Sequence, residues 1–369
     1  MDFTLSPQQK MIRNAARAFF KREFPLSRLR QVEARGLSEF LPVYRQMGDQ
    51  GFLGIAIPEE HGGSGGTWVD LAILNEEAGR ALVPSVHVSA VTLVGQALLS
   101  MGSQAQKAEL LPPLASGQTV VTAAYIEEGH EPRTHEFRTV AIAQGDRFVL
   151  RGEKRFVEAF EVASTLLVAA TDETASARLF LVPRASPGIR HREWLLQSLD
   201  RVADVVLDGV VVAGEAALPA RNWDAWLDVV DGAKIALAAY AVGAAEAALD
   251  MAVAYSKIRV QFDRPIGSFQ ALQHKLADAA MQVEQARTLL YYAAWLRQER
   301  VSCRREAAMA KLLAGSAFRQ AAYAANLTHG GYGFMEEQDI QLYFRRAKLL
   351  EHQVEGPGVQ TEIIIPAAG

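Results

Sequence analysis

Between residues 120 and 212 the hydrophobic pattern of this chain changes period, and that change limits what it can fold into. On either side, apolar residues recur every three to four positions, as on one face of a helix. Inside the window they come as short runs rich in Val, Leu and Thr, at 120–125, 139–143, 147–150, 165–170, 178–182 and 202–212. Gly, Asp and Pro separate the runs, so they read as strands of a small all-β domain. The expectation is an α+β multidomain chain. A helical domain occupies 1–115, a small β-barrel or sandwich 116–222, and a four-helix bundle 223–369.

The flanking segments carry their own punctuation. Ser6-Pro7 is a helix start, with Pro just inside the first turn. Ile12, Ala15, Ala16, Phe19 and Phe20 follow at helical spacing. Amphipathic patterns cover 38–51 and 68–81, and 86–101 is apolar on several sides, as in a buried helix. Pro112-Pro113 is expected to stop the last helix of this part. From about 222 onward Ala and Leu dominate, and Gly243 and Gly315 permit close helix contact.

Composition excludes some classes. The net charge is −4 and no basic run stands out, so nothing argues for nucleic acid. The single cysteine, Cys303, rules out an internal disulfide framework and a cysteine-rich metal site, and no metal is expected. Met1-Asp-Phe-Thr-Leu-Ser lacks the basic and apolar regions of a signal peptide. No uninterrupted apolar run approaches the roughly 20 residues that span a bilayer. A cytoplasmic protein that does not enter a membrane is the expectation.

Chemistry concentrates at two turns. Arg259-Val-Gln-Phe262-Asp-Arg-Pro-Ile-Gly267-Ser-Phe-Gln270 lies between helical patterns at 224–257 and 271–300. A guanidinium binds pyrophosphate by paired hydrogen bonds and stays charged at any pH. Phe262 offers a flat apolar face, and Gln270 can bond an adenine edge or a phosphate. The plain reading is an exposed Arg, a core Phe and a capping Gln. His329-Gly330-Gly331-Tyr332-Gly333-Phe334 is the second turn. Its glycines let backbone approach a phosphate or ring closely, and they equally serve to stop a helix. His61-Gly62-Gly63-Ser64-Gly65-Gly66 fits neither dinucleotide nor P-loop spacing and is expected to be a flexible loop.

These turns, with Gly54-Ile-Ala-Ile-Pro58-Glu-Glu-His-Gly62-Gly63, Ala307-Ala-Met-Ala-Lys311 and Phe344-Arg-Arg-Ala-Lys348, closely resemble segments of the flavin-dependent acyl-CoA dehydrogenase family. Their order and spacing match over nearly the whole chain. The resemblance implies an FAD cofactor held by Arg259, Phe262, Gln270, His329, Gly330 and Gly331 across a subunit boundary, with Phe156 beside the flavin ring. It implies an acyl-CoA substrate and an electron-transfer flavoprotein as electron acceptor. It also implies a homotetramer, or a heterotetramer with a related chain, in fatty-acid or sterol side-chain catabolism.

Several positions depart from the family pattern. Leu327 stands where a Gln usually precedes the glycine turn. Tyr125-Ile126-Glu127-Glu128-Gly129 replaces the strand with Thr-Glu-Pro. In Lys154-Arg-Phe156-Val-Glu158-Ala-Phe160, Glu158 replaces the flavin-contacting hydroxyl and Phe160 the closing glycine. A carboxylate beside a flavin that gains negative charge is unfavourable. The reaction needs a carboxylate base within reach of the proton next to the thioester. Ungapped counting from Arg346-Ala347-Lys348 places Val354 at the usual base position, with Glu355 one residue later. The minority position on the first bundle helix falls on Ala233, with Asp231 two residues earlier. Glu355 ranks first, Asp231 is the alternative, and a chain without its own base is the third. The tail from Glu362 leaves little chain for a further helix. Two functions follow: an acyl-CoA dehydrogenase, or a non-catalytic partner subunit that lends Arg259 to a shared FAD site.

Overall fold

The computed structural model describes residues 4–129, 133–219 and 223–365. The expected domain limits at 1, 222 and 369 lie outside these residues, as do Met1–Phe3 of the segment read as lacking a signal peptide and the last four residues of the tail. Contacts divide the chain into two compact units. One comprises Met1–Leu29, Thr67–Val83 and Lys234–Gly369, the other Arg30–Gly66 and Pro84–Ala233.

The N-terminal helices are α1 (Pro7–Glu23), α2 (Leu26–Arg35), α3 (Leu41–Asp49) and α4 (Trp68–Arg80). Ser6 caps α1 reciprocally with Gln9, and Thr67 caps α4 with Asp70, so first-turn amides that lack helical partners are satisfied. The apolar run expected as a buried helix winds as a π-helix over Val88–Gly95, all eight residues buried, and continues as α5 (Gln96–Met101). π-segments are uncommon and recur at functional sites. Helix α6 (Gln104–Ala115) runs through Pro112 and Pro113, which do not stop it as expected. Both prolines sit in the last turn, where their carbonyls still accept from Ser116 and Gln118.

The middle strands form one seven-stranded sheet of β1 (Val121–Ala124), β2 (Val140–Gln144), β3 (Arg147–Glu158), β4 (Thr165–Asp172), β5 (Ala177–Pro183), β6 (Ile189–Leu195) and β7 (Arg201–Ala213). The order is β1-β4-β2-β3-β7-β6, with β5 on β4. The β1–β4 and β2–β4 pairs are parallel and the others antiparallel, so the sheet is mixed. Strand β6 is absent from the sequence expectation. It is an edge strand of mostly exposed residues with no apolar alternation to betray it. The glycine loop after Pro58 is not loose. Ser64, Gly65 and Gly66 donate to Gly54, Ile57 and Ile55, and a Cβ on Gly63 would stand 2.0 Å from the Ile57 carbonyl oxygen.

The C-terminal helices are α7 (Trp223–Ile258), α8 (Gln270–Gln298), α9 (Arg304–His329), α10 (Ile340–His352) and α11 (Pro357–Ile364). The short α11 starts before the tail and takes in its first three residues, Glu362–Ile364. Helix α7 is long and apolar enough to cross a membrane by composition, but 78% of that window is buried in the protein, as in a core helix. Backbone meets backbone where α4 crosses α7. A Cβ on Gly243 would lie 1.8 Å from the Glu76 carbonyl oxygen, and one on Gly79 2.0 Å from that of Tyr240. Gly315 is less tight, 3.2 Å from Glu351 Cγ.

Candidate active site

The Arg259 turn folds as a two-residue hairpin of β8 (Val260–Gln261) and β9 (Arg264–Pro265). Its tip, Phe262-Asp263, has φ of 53° and 62°, a left-handed pair that normally calls for Asn and Gly. Phe262 is 86% exposed and meets the ring of Phe269 edge-on at 6.1 Å. Gln270 follows as the exposed first residue of α8.

Arg259 and the second glycine turn are 70 residues apart in sequence, yet they line one groove of about 650 Å³, with Tyr255, Ile258, Gln261, Ile266 and Tyr332. Its walls suit a flat ligand with a charged linker. Tyr255 stacks on His329 at 4.2 Å and lies nearly parallel to Tyr332 at 6.4 Å. His329 Nδ1 bonds the Ala325 carbonyl at 2.8 Å, which fixes the ring. Gly330 has φ 63° and ψ −146°, a conformation that essentially only glycine adopts. Nothing lies within 4 Å of a Cβ built on Gly330 or Gly331, so this backbone is open to a ligand. Phe262 and Gln270 lie outside the groove lining.

Glu355 occupies the four-residue link between α10 and α11. Val354 and Glu355 have φ of 59° and 89°, and this left-handed pair turns the Glu355 side chain inward. The carboxylate is buried and paired with the ammonium of Lys234, itself fully buried on α7. Lys311 on α9 is also buried and donates to the Leu350 and Glu351 carbonyls at 2.5 and 3.3 Å, holding the end of α10. Burial, reinforced by the charge of Lys234, pushes Lys311 down to about 7.

The second unit places the other named residues. Asp231 is buried and clamped by both terminal nitrogens of Arg133, at 3.0 and 3.3 Å. Glu127, buried with Lys154 and Thr139, accepts from Lys154 Nζ at 2.5 Å and from the amides of Arg138 and Thr139. Burial pushes Lys154 down to about 8 against the pull of Glu127. An irregularity between Lys154 and Val157 breaks the β3–β7 register. It leaves Phe156 half exposed with φ 52°, its amide bonded to Asp204. Asp204 also takes the Trp194 indole at 2.6 Å. Phe160 is buried against His191 at 4.6 Å.

Residues 6–118 match the profile of the acyl-CoA dehydrogenase N-terminal domain, and 223–365 that of the C-terminal domain. The chain belongs to the acyl-CoA dehydrogenase family. It is 35% identical over 368 residues to a probable acyl-CoA dehydrogenase, YngJ, of Bacillus subtilis, with 95% of each chain covered. It superposes on butyryl-CoA dehydrogenase of Megasphaera elsdenii with a TM-score of 0.90 at 27% identity, covering 99% of this chain and 98% of that one. The ChsE4–ChsE5 complex of Mycobacterium tuberculosis gives 0.89 at 26% identity, covering 99% and 98%.

The family frame sharpens the departures. Leu327, where family members usually carry Gln, is partly exposed. Val354, at the ungapped position of the usual base, is buried, while Glu355 beside it carries the carboxylate inward. The backbone carbonyl of Glu158 accepts from Thr122 Oγ1 at 2.6 Å, which anchors this strand end to β1. Sequence reasoning missed Lys234, Lys311 and Arg133. The first two could have been suspected, since each is a single lysine inside an Ala- and Leu-rich helical run.

Proposed function

We propose that this chain catalyses the FAD-dependent α,β-dehydrogenation of an acyl-CoA thioester, with Glu355 as the base. The observation that carries the reading is the Lys234–Glu355 contact. Lys234 follows Ala233, the position from which a minority of family members supply their base. The contact thus brings the inward carboxylate after α10 to the same turn of α7. Asp231 is a poorer candidate, because Arg133 already engages both its oxygens.

FAD fits the residues present. Arg259 would pair with its pyrophosphate, and the open backbone at Gly330 and Gly331 would admit its dinucleotide. When bound, FAD supplies a two-electron acceptor for hydride from the carbon β to the thioester. Glu355 takes the proton from the α carbon. Phe156 offers a half-exposed ring face on β3, and the exposed Phe262 at the hairpin tip is free to meet the flavin of a neighbouring subunit. Electrons then leave to an electron-transfer flavoprotein.

Glu355→Gln tests the base. Turnover of acyl-CoA should fall about 10²- to 10⁴-fold, the usual contribution of a positioned base, with flavin retained. Full turnover in that variant overturns the assignment.

A second reading is favoured by the exposure of Phe262 and by Glu158 and Phe160 on the ring-binding strand. The chain would then be a partner subunit lending Arg259 to an FAD held with a related chain, an arrangement for which ChsE4–ChsE5 offers a two-component precedent of the same fold. The visible spectrum of the chain produced alone decides. Stoichiometric flavin supports the enzyme. A colourless chain that turns yellow only when produced with a related chain supports the partner.

A further inference from the structure

The Lys234–Glu355 pair is built at a cost that packing alone does not require. Lys234 sits on α7 between Ala233 and Ile235, all three buried. A lysine there must shed its hydration and is retained only against a close opposite charge. Glu355 reaches it from a backbone held in the left-handed region at two successive non-glycine residues. Such strain persists only when its surroundings enforce it.

The enforcement comes from other groups. Gln360 on α11 donates to the Glu355 carbonyl at 3.1 Å, and Lys311 holds the carbonyls at the end of α10. The Gln353 amide closes on Leu349 at 2.9 Å. These bonds hold the backbone of the link. The ammonium of Lys234 meets the Glu355 carboxylate itself.

Resting on the reading of Glu355 as base, we propose that Lys234 is its positioning residue, fixing the orientation of the carboxylate and offsetting the penalty of its burial. A base must be ionised before it can accept a proton, and a carboxylate taken out of water without a cation loses that form. Among the described residues, charged groups from three helices surround the pair. Lys234 projects from α7, Lys311 from α9 and Glu351 from the end of α10, while α11 contributes the uncharged Gln360. Glu351 is itself engaged by Arg319 and Lys348 at 2.7 and 2.8 Å. Lys311 titrates near neutrality, so its charge adds to that of Lys234 in acid and fades above pH 7.

The test compares Lys234→Met, Lys234→Gln and Lys234→Arg with Glu355→Gln in the flavin-loaded protein. In the Met and Gln variants the acid limb of kcat should move up by about 1–3 pH units, the usual effect of one close opposite charge. KM should stay near wild type, and Lys234→Arg should restore the limb. A merely structural lysine would lower kcat at every pH without moving the limb. Infrared difference spectra of the flavin-free protein give a readout independent of turnover. A carboxylic-acid band that Glu355→Gln abolishes should grow at neutral pH in Lys234→Gln relative to wild type. An unmoved limb with no new band overturns the proposal. Full turnover in Glu355→Gln instead sinks the assignment of the base, and the infrared arm then decides alone whether Lys234 governs this carboxylate.

Discussion

Replacing Phe262-Asp263 with Asn-Gly should make the protein more stable and less able to hold flavin. Phe262 occupies left-handed backbone at φ 53°, which costs a bulky L-residue about 1–2 kcal/mol. Asp263 at φ 62° tolerates that region better, so its relief is smaller. Against this stands what Phe262 contributes. At 86% exposure its burial is slight, and the edge contact with Phe269 at 6.1 Å gives about 0.5 kcal/mol at an exposed site. The balance favours the variant by about 0.5–1.5 kcal/mol, since Asn-Gly is the preferred pair for such a two-residue turn. Thermal unfolding of the flavin-free protein measures the first arm, and a rise of about 1–3 °C is expected. Flavin absorbance per chain after dialysis measures the second, and it should fall. A variant that is less stable yet keeps its flavin would refute the idea that this strain is retained for the cofactor.

Other perturbations read different parts of the molecule. Glu127→Gln leaves the Lys154 ammonium buried without its carboxylate and should cost about 3–5 kcal/mol in urea unfolding. Gly243→Ala forces a Cβ to 1.8 Å from the Glu76 carbonyl oxygen and should separate α4 from α7, lowering Tm far more than Gly315→Ala, where the neighbour is a side-chain carbon at 3.2 Å. Lys311 and Lys154 are pushed down to about 7 and 8 from an ordinary 10.5, so the unfolded chain binds more protons than the folded one between those values. Stability should therefore rise with pH from 7 to 9, and a flat or falling urea midpoint over that window would contradict the burial of both lysines. Glu76, pushed up by burial, acts in the opposite sense at lower pH, which leaves the alkaline window as the informative one.

The large features of the fold were legible because they are written in hydrophobic period. The change at residue 120 marks the sheet, and the Ala-rich run after 222 marks α7. Elements without such a signal were not. Strand β6 carries Arg190, His191, Arg192 and Glu193 in succession and pairs along an exposed edge. The π-winding of Val88–Gly95 leaves the apolar pattern of an ordinary buried helix. Pro112 and Pro113 fall in the last turn, where their carbonyls still accept from Ser116 and Gln118 and the helix ends two residues on. At the site, Arg259 and Gly330 were recognisable singly, but their meeting in one groove depends on how α7 and α9 pack. The Lys234–Glu355 pair was hidden for the same reason. A residue on α7 and one after α10 become neighbours only through the tertiary fold, and nothing in either local sequence names the other.

The crossing of α4 with α7 and α8 also bears on how the chain is made. Eleven of the thirteen residues of α4 are buried, Glu76 and Glu77 among them. Glu77 finds Arg17 on α1, already synthesised 60 residues earlier. Glu76 must wait for Arg287, 211 residues later, and for Tyr291 just beyond. At ribosomal speeds of about 5–20 residues per second, that delay is about 10–40 s. During it the sheet-bearing segment can complete its own contacts, while α4, met by α1 alone at first, waits for α7 and then α8. Until α8 leaves the exit tunnel, part of its apolar surface stays open, the kind of transient exposure that chaperones exist to cover.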